Sequence, residues 1–256
     1  MPLCSSVRSR SLSIRMSEAP LPVPAEGQWR LIYFDAPTRG EQLRMLFAAA
    51  EMPFEDIREV FPTGLRKWKR MNCGFASPLA FDQCPAVQHG KFSVSQTAAC
   101  MQYVGQKLGL GGKGAEAEAS CISYVIGSEE MRNAVFYGQF MMLVAGYLKL
   151  KFLYPALGVY LRWKLHKKHA VWLGRFEHLL EKKGGGPFLV GDSMTYADVA
   201  VADCVESIHA LGVFSAREHL QPQYPRLSAM LEAVLANRGI SKYLARTRAG
   251  GPKFSL

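Results

Sequence analysis

Three places in this chain carry side chains whose chemistry could be combined. Tyr33 closes the apolar run Trp29-Arg30-Leu31-Ile32-Tyr33-Phe34 and brings a phenolic O–H. Further on stands Asp82-Gln83-Cys84-Pro85-Ala86-Val87, with a proline at the start of a strand. A proline there loses a ladder hydrogen bond unless the position is an edge or a special bend. A cis bond would turn the Cys84 N–H and C=O outward; an ordinary trans proline opening an edge strand is the plainer alternative. Ser95-Gln96-Thr97 opens a helix, whose unpaired first-turn N–H groups and macrodipole favour a carboxylate, though simple capping by Ser95 is also open. A hydroxyl donor, an outward backbone pair and an anion-favouring helix end together suit one small acidic peptide.

The elements that must position them follow from pattern. Residues 29–34 read as a buried strand. Over residues 38–51, Leu43, Leu46, Phe47 and Ala50 share one helical face. A strand is expected around Phe54, Ile57 and Val60 from element order, and a short basic helix over residues 65–71. Residues 85–88 and 91–94 flank His89-Gly90, read as the two-residue connection of a hairpin. Ser95 caps a helix that runs to about Leu108, with Gly109 as its stop signal. The order βαβαββα, with its parallel crossover, is the thioredoxin-like plan. The loop after the first strand reads Asp35-Ala36-Pro37-Thr38-Arg39 and holds no Cys-x-x-Cys, which argues against dithiol chemistry.

On these residues the chain resembles the cytosolic glutathione transferases, particularly the tyrosine-type, sigma-like classes. The resemblance is carried by Tyr33-Phe34, by Arg39 with Glu41-Gln42-Leu43-Arg44, by Asp82-Gln83-Cys84-Pro85, and by Gln96-Thr97 with the helix behind it. It implies a thioredoxin-like α/β domain over residues 28–111 and an all-α helical-bundle domain over residues 112–247, with a disordered or targeting extension at 1–27 and a basic tail at 248–256. It implies glutathione as co-substrate and Tyr33 as the catalytic hydroxyl that favours the thiolate. Gln96 and Thr97 would hold the γ-glutamyl end, the Cys84 backbone at Pro85 would pair with the peptide's cysteine, and Gln83 belongs to the same turn. Arg39 would act electrostatically near the sulfur, and Trp68 resembles the aromatic near the glycyl end. The lysine that follows that aromatic in the family has no clean match; Lys69 and Arg70 are the candidates. The acid that sigma-like members send across a dimer falls near Gly127, with Glu129 or Glu130 as substitutes.

Beyond the linker Gly109-Leu110-Gly111-Gly112-Lys113-Gly114, helical stretches are expected near 115–148, 156–183, 195–212 and 225–236. Thr195 and Asp198 form a carboxylate version of the capping box, with Met194 and Val199 as its staple. Gly191-Asp192-Ser193-Met194-Thr195-Tyr196-Ala197-Asp198 and Tyr224-Pro225-Arg226-Leu227 both look like family features of the second domain. Residues 134–148 are uncharged and rich in Met and aromatics, yet shorter than the ~20 residues a bilayer requires, so a buried helix is expected and no membrane span. His166-Lys167-Lys168-His169 has ligand-like spacing without a neighbouring cysteine or acid, and reads as a solvated basic face with no metal.

With 256 residues, 49% of them hydrophobic, the chain can bury one large core or two modest ones. Its six cysteines follow no paired motif, which points to a reducing compartment. The net charge of +10 gathers at the ends: three arginines and no acid in residues 1–16, five basic residues and no acid in 238–253. No nucleic-acid recognition motif accompanies it, so nucleic acid is not an expected partner. The Arg- and Ser-rich opening resembles a mitochondrial or plastid transit peptide; the alternative is an untargeted tail on a cytoplasmic protein. The function implied is conjugation of the glutathione thiolate to small apolar electrophiles by a homodimer. The alternatives are glutathione-dependent isomerisation or peroxide reduction, and a non-catalytic ligand-binding or assembly protein.

Overall fold

The computed structural model describes residues 22–36, 38–59, 79, 81, 83–147, 154–210 and 216–248, with residues 59, 134–147, 154–166, 208–210, 216–219 and 248 described by backbone alone. Packing divides the chain into two compact units. One holds residues up to Asp35 together with Phe54–Gln96, the other Ala36–Pro53 together with Thr97–Leu256.

The first unit is a mixed four-stranded sheet. β1 (Trp29–Phe34) pairs parallel with β2 (Glu55–Glu59) and antiparallel with β3 (Ala86–His89), which pairs antiparallel with β4 (Phe92–Ser95). The order β2-β1-β3-β4 is the expected thioredoxin-like sheet. Ile32, Ile57, Leu79 and Ala86 form a buried cluster, with Cys84 packed against it. Leu31 and Val87 are also buried, so β1 and β3 lack the apolar-polar alternation of a one-sided strand. Arg30 is buried as well and fully engaged: it donates to Glu55 at 2.6 Å, to Gln88 at 3.0 Å and to the Pro22 carbonyl at 2.7 Å.

The hairpin differs from expectation by one residue. His89 pairs with Phe92, so Gly90-Lys91 is the connection, and His89 stays in the strand stacked 3.8 Å from Trp29. The physical reason is Gly90, whose φ of 56° sits at the first turn position, where a glycine meets no steric penalty. The next element shifts too. Ser95 closes β4, Gln96 takes a φ of 76°, and the helix begins at Thr97.

The second unit is helical: α1 (Arg39–Ala49), α2 (Thr97–Lys107), α3 (Ala115–Tyr147), α4 (Tyr154–Lys183), α5 (Tyr196–Ala210), α6 (Ala216–Gln223), α7 (Pro225–Leu235) and α8 (Arg238–Arg248). α2 ends in a Schellman motif, with Gly109 N–H to Gln106 O at 3.3 Å and Leu110 N–H to Gly105 O at 2.8 Å. The Thr195–Asp198 box is present: Asp198 accepts from the Thr195 N–H and hydroxyl, both at 2.8 Å, and from Leu189 N–H at 2.7 Å. Two helices were not anticipated, α6 and α8. α8 buries Ile240 and Tyr243 while turning Arg238 and Lys242 outward. The expected helix at 65–71, the lysine candidates Lys69 and Arg70, and most of the two terminal extensions lie outside the described residues. Residues 134–147 continue α3, and among the described residues no helix is long and apolar enough to cross a membrane.

Candidate active site

Sheet register collects the first group of residues. The antiparallel count that sets Leu31 against Val87 and Ile32 against Ala86 brings Tyr33 level with Pro85 one step further on. Ala86 faces Ser95 across the hairpin, so Gln96 leaves the sheet at that same end. Tyr33 is buried, its ring edge-on to Phe34 at 5.2 Å between centroids. The Cys84–Pro85 bond is cis. Gln96 donates from its side-chain amide to Gln83 at 2.8 Å, joining the turn before β3 to the residue after β4. Gln96 is the only one of these five site residues held in the left-handed region, which costs a side-chain-bearing residue roughly 1–3 kcal/mol. Such strain persists only where surrounding structure dictates it.

Arg58, which the sequence reading passed over, stands in register with Tyr33 on β2. It donates to Asp56 at 2.7 Å and to Asp35 at 2.9 Å. Its signal was local: Asp56 and Arg58 lie two apart on a strand and so share a face.

The helical unit holds Arg39 and Thr97. Thr97 is buried at the first position of α2. Arg39, half exposed, donates to Glu129 and to Asn133, both at 2.6 Å. Glu129 also accepts from Gln42 at 2.7 Å and from Arg132 at 3.3 Å. Both Glu129 oxygens are thus engaged inside the chain, while the neighbouring Glu130 is exposed on α3. Arg132 continues inward to Asp203 at 2.7 Å. Burial pushes the Asp203 carboxyl up to about 7 against the opposing pull of Arg132. Burial also raises the neighbouring Cys204 thiol to about 12, so it is inert as a nucleophile at neutral pH. Arg132 itself loses solvation, but Asp203 and Glu129 beside it favour its charged form.

The motif Glu41-Gln42-Leu43-Arg44 serves packing. Arg44 is wholly buried, donating to Glu41 and to the Ala36 carbonyl, both at 3.3 Å, and Tyr243 of α8 donates to Glu41 at 2.7 Å. Trp68 and Asp82 lie outside the described residues. In His166-Lys167-Lys168-His169 the two lysines are exposed and His169 is buried.

Residues 30–106 match the family model described as Glutathione S-transferase, N-terminal domain, and residues 164–247 match Glutathione S-transferase, C-terminal domain. The chain belongs to the glutathione S-transferase family. It is similar to Glutathione S-transferase 4 of Caenorhabditis elegans, 27% identical over 213 residues that make up 80% of this chain and 92% of the relative. Glutathione S-transferase 1 of Ascaris suum is 29% identical over 226 residues, 85% of this chain and 96% of its own. Among solved structures, the glutathione S-transferase of Ascaris lumbricoides aligns with a TM-score of 0.64 at 24% identity, over 86% of this chain and 97% of that one. As a glutathione S-transferase the chain uses glutathione, a small peptide with a thiol and carboxylates, as co-substrate.

Proposed function

We propose that this transferase is of the tyrosine type, with Tyr33 donating its O–H to the sulfur of bound glutathione and conjugating the thiolate to small apolar electrophiles. The observation that carries the reading is the sheet register, which sets Tyr33 level with the cis Cys84–Pro85 bond and sends Gln96 out at the same end. The Cys84 backbone pairs with the peptide's cysteine, while Gln83, Gln96 and Thr97 hold its γ-glutamyl group at the start of α2. Arg39 adds positive potential, and Trp68 meets the glycyl end. The working form is a homodimer in the cytoplasm.

Lowering a thiol pKa of ~8.5 by about two units is ~2.7 kcal/mol of differential stabilisation and raises the thiolate fraction at neutral pH roughly 25-fold. Falling nucleophilicity, with β of ~0.4–0.5 in disulfide exchange, reduces that to a gain of a few-fold. Holding sulfur against electrophile supplies the remainder. The test is conjugation of glutathione to an aromatic halide by wild type and Tyr33→Phe, with glutathione binding measured in both. A steep fall in kcat with binding retained is the expected result. Equal turnover in the two proteins removes Tyr33 from the mechanism.

A further inference from the structure

The solvent face of α4 carries charge that the transferase reaction does not use. His169, Leu173, Phe176 and Leu180 are buried on one side of this helix. On the opposite side Lys168, Val171, Arg175, His178 and Lys182 recur at intervals of three and four and fall within one narrow arc, all exposed. From Lys168 to Lys182 the row is about 21 Å long. Lys167 lies beside it, exposed as well. Glu181 is the acid on this face, 3.9 Å from His178. Glu177 is turned away, accepting from the backbone N–H groups of Arg226 at 3.0 Å and Leu227 at 2.8 Å.

Among the described residues, Lys168, Arg175 and Lys182 have no carboxylate partner, whereas Arg238 and Lys242 on α8 share Glu51. Arg175 is fixed in place, its guanidinium 4.5 Å above the Trp172 ring. Val171 sits in the middle of the row, 54% exposed.

We propose that this face of α4 is a docking surface for an anionic phospholipid membrane. Unpaired cations set about 10 Å apart in a straight row meet a plane of negative headgroups all at once. The net charge of +10 adds attraction over the same distance range. Long lysine and arginine stems let the charges reach headgroups while their methylenes and Val171 lie against the interface. A protein partner would find little here, because the face offers a single exposed valine and its neighbouring aromatic, Trp172, is covered by Arg175.

The test uses the full chain in sedimentation with phosphatidylcholine vesicles, with and without phosphatidylserine, at ~0.1 M salt and lower. Wild type is compared with Lys168→Gln/Arg175→Gln/Lys182→Gln and with Arg238→Gln/Lys242→Gln/Arg246→Gln, which removes the same charge from α8. Conjugating activity reports that both variants are folded. The proposal expects wild type to bind only the anionic vesicles. With roughly fivefold per cation, the α4 variant loses on the order of a hundredfold in partitioning, and the α8 variant loses much less. Absence of wild-type binding to anionic vesicles at low salt overturns it, as does equal loss in both variants, which would leave only diffuse net charge. Stripe-dependent capture by polyglutamate without vesicle binding likewise overturns it, in favour of an acidic protein partner.

Discussion

Gly239→Ala isolates the contact on which the placement of α1 depends. A Cβ at this position would lie 1.8 Å from the Ala48 carbonyl oxygen and 2.8 Å from the carbonyl carbon, both backbone atoms of α1. Contacts of this kind essentially never fall under 3.0 Å, so the helices must part by at least 1.2 Å. Neither backbone can rotate out of the way as a side chain would. The Tyr243 hydroxyl donates to Glu41 at 2.7 Å between the same two helices, and a displacement of that size breaks the bond. Overpacking costs ~1–3 kcal/mol, the lost bond to a carboxylate ~1.5–3, and the better helix propensity of alanine offsets about 1, for a net of about 3 kcal/mol. For a chain of this length that lowers Tm by roughly 6–12 °C. Urea denaturation, read at constant m, gives the free energy directly. The control is Gly174→Ala in α4, where the nearest atom is Tyr224 Cε1 at 4.0 Å and the change should be neutral or slightly stabilising. A loss below about 1 kcal/mol at Gly239, or equal damage at Gly174, refutes the close helix approach.

Asp203→Asn tests the buried network through pH. Because the folded carboxyl sits near 7 against an ordinary 3.8, its contribution to stability is full below about pH 4 and is lost as pH rises through 7. Stability measured from pH 4 to 8 should fall in wild type relative to the variant, by up to ~1.4 kcal/mol per pH unit; a constant difference contradicts the burial argument. Gly105→Ala would place a Cβ 2.3 Å from Tyr196 Cδ1, and that ring is anchored by its O–H to Glu118 at 2.7 Å. A loss of ~1–3 kcal/mol is expected, and in a double-mutant cycle with Tyr196→Leu the two losses should fall short of additive. Arg132→Met leaves Asp203 buried without its cation and should cost ~3–5 kcal/mol at pH 8 by denaturant titration, whereas an unpaired surface arginine would cost almost nothing.

Much of the architecture was legible in the residues. The apolar run at 29–34, the hairpin punctuation and the cap at Thr195–Asp198 are local signals, each readable from a few neighbouring side chains. The motifs around Tyr33, Pro85 and Gln96 could be recognised because their order and spacing survive in a linear text. The missed features share a different character. Whether Gly90 opens or closes its turn depends on which cross-strand partners the sheet selects, since a one-residue slip turns every side chain to the other face. Arg30 looks like a surface charge until the sheet supplies Glu55 and Gln88, 25 and 58 residues away. The commitment of Glu129 to Arg39 and Gln42 joins residues 90 and 87 positions apart, and no period or motif announces it. α8 gives no strong helical period because its buried face is only Ile240 and Tyr243, and its burial comes from α1 through Gly239 and Glu41. Sequence by itself determined the strands, most of the helices and the family, because helix period, strand pattern and turn chemistry are short-range. Tertiary structure alone decided register, charge pairing and the fate of the last helix, because those free energies depend on which distant groups exclude water together.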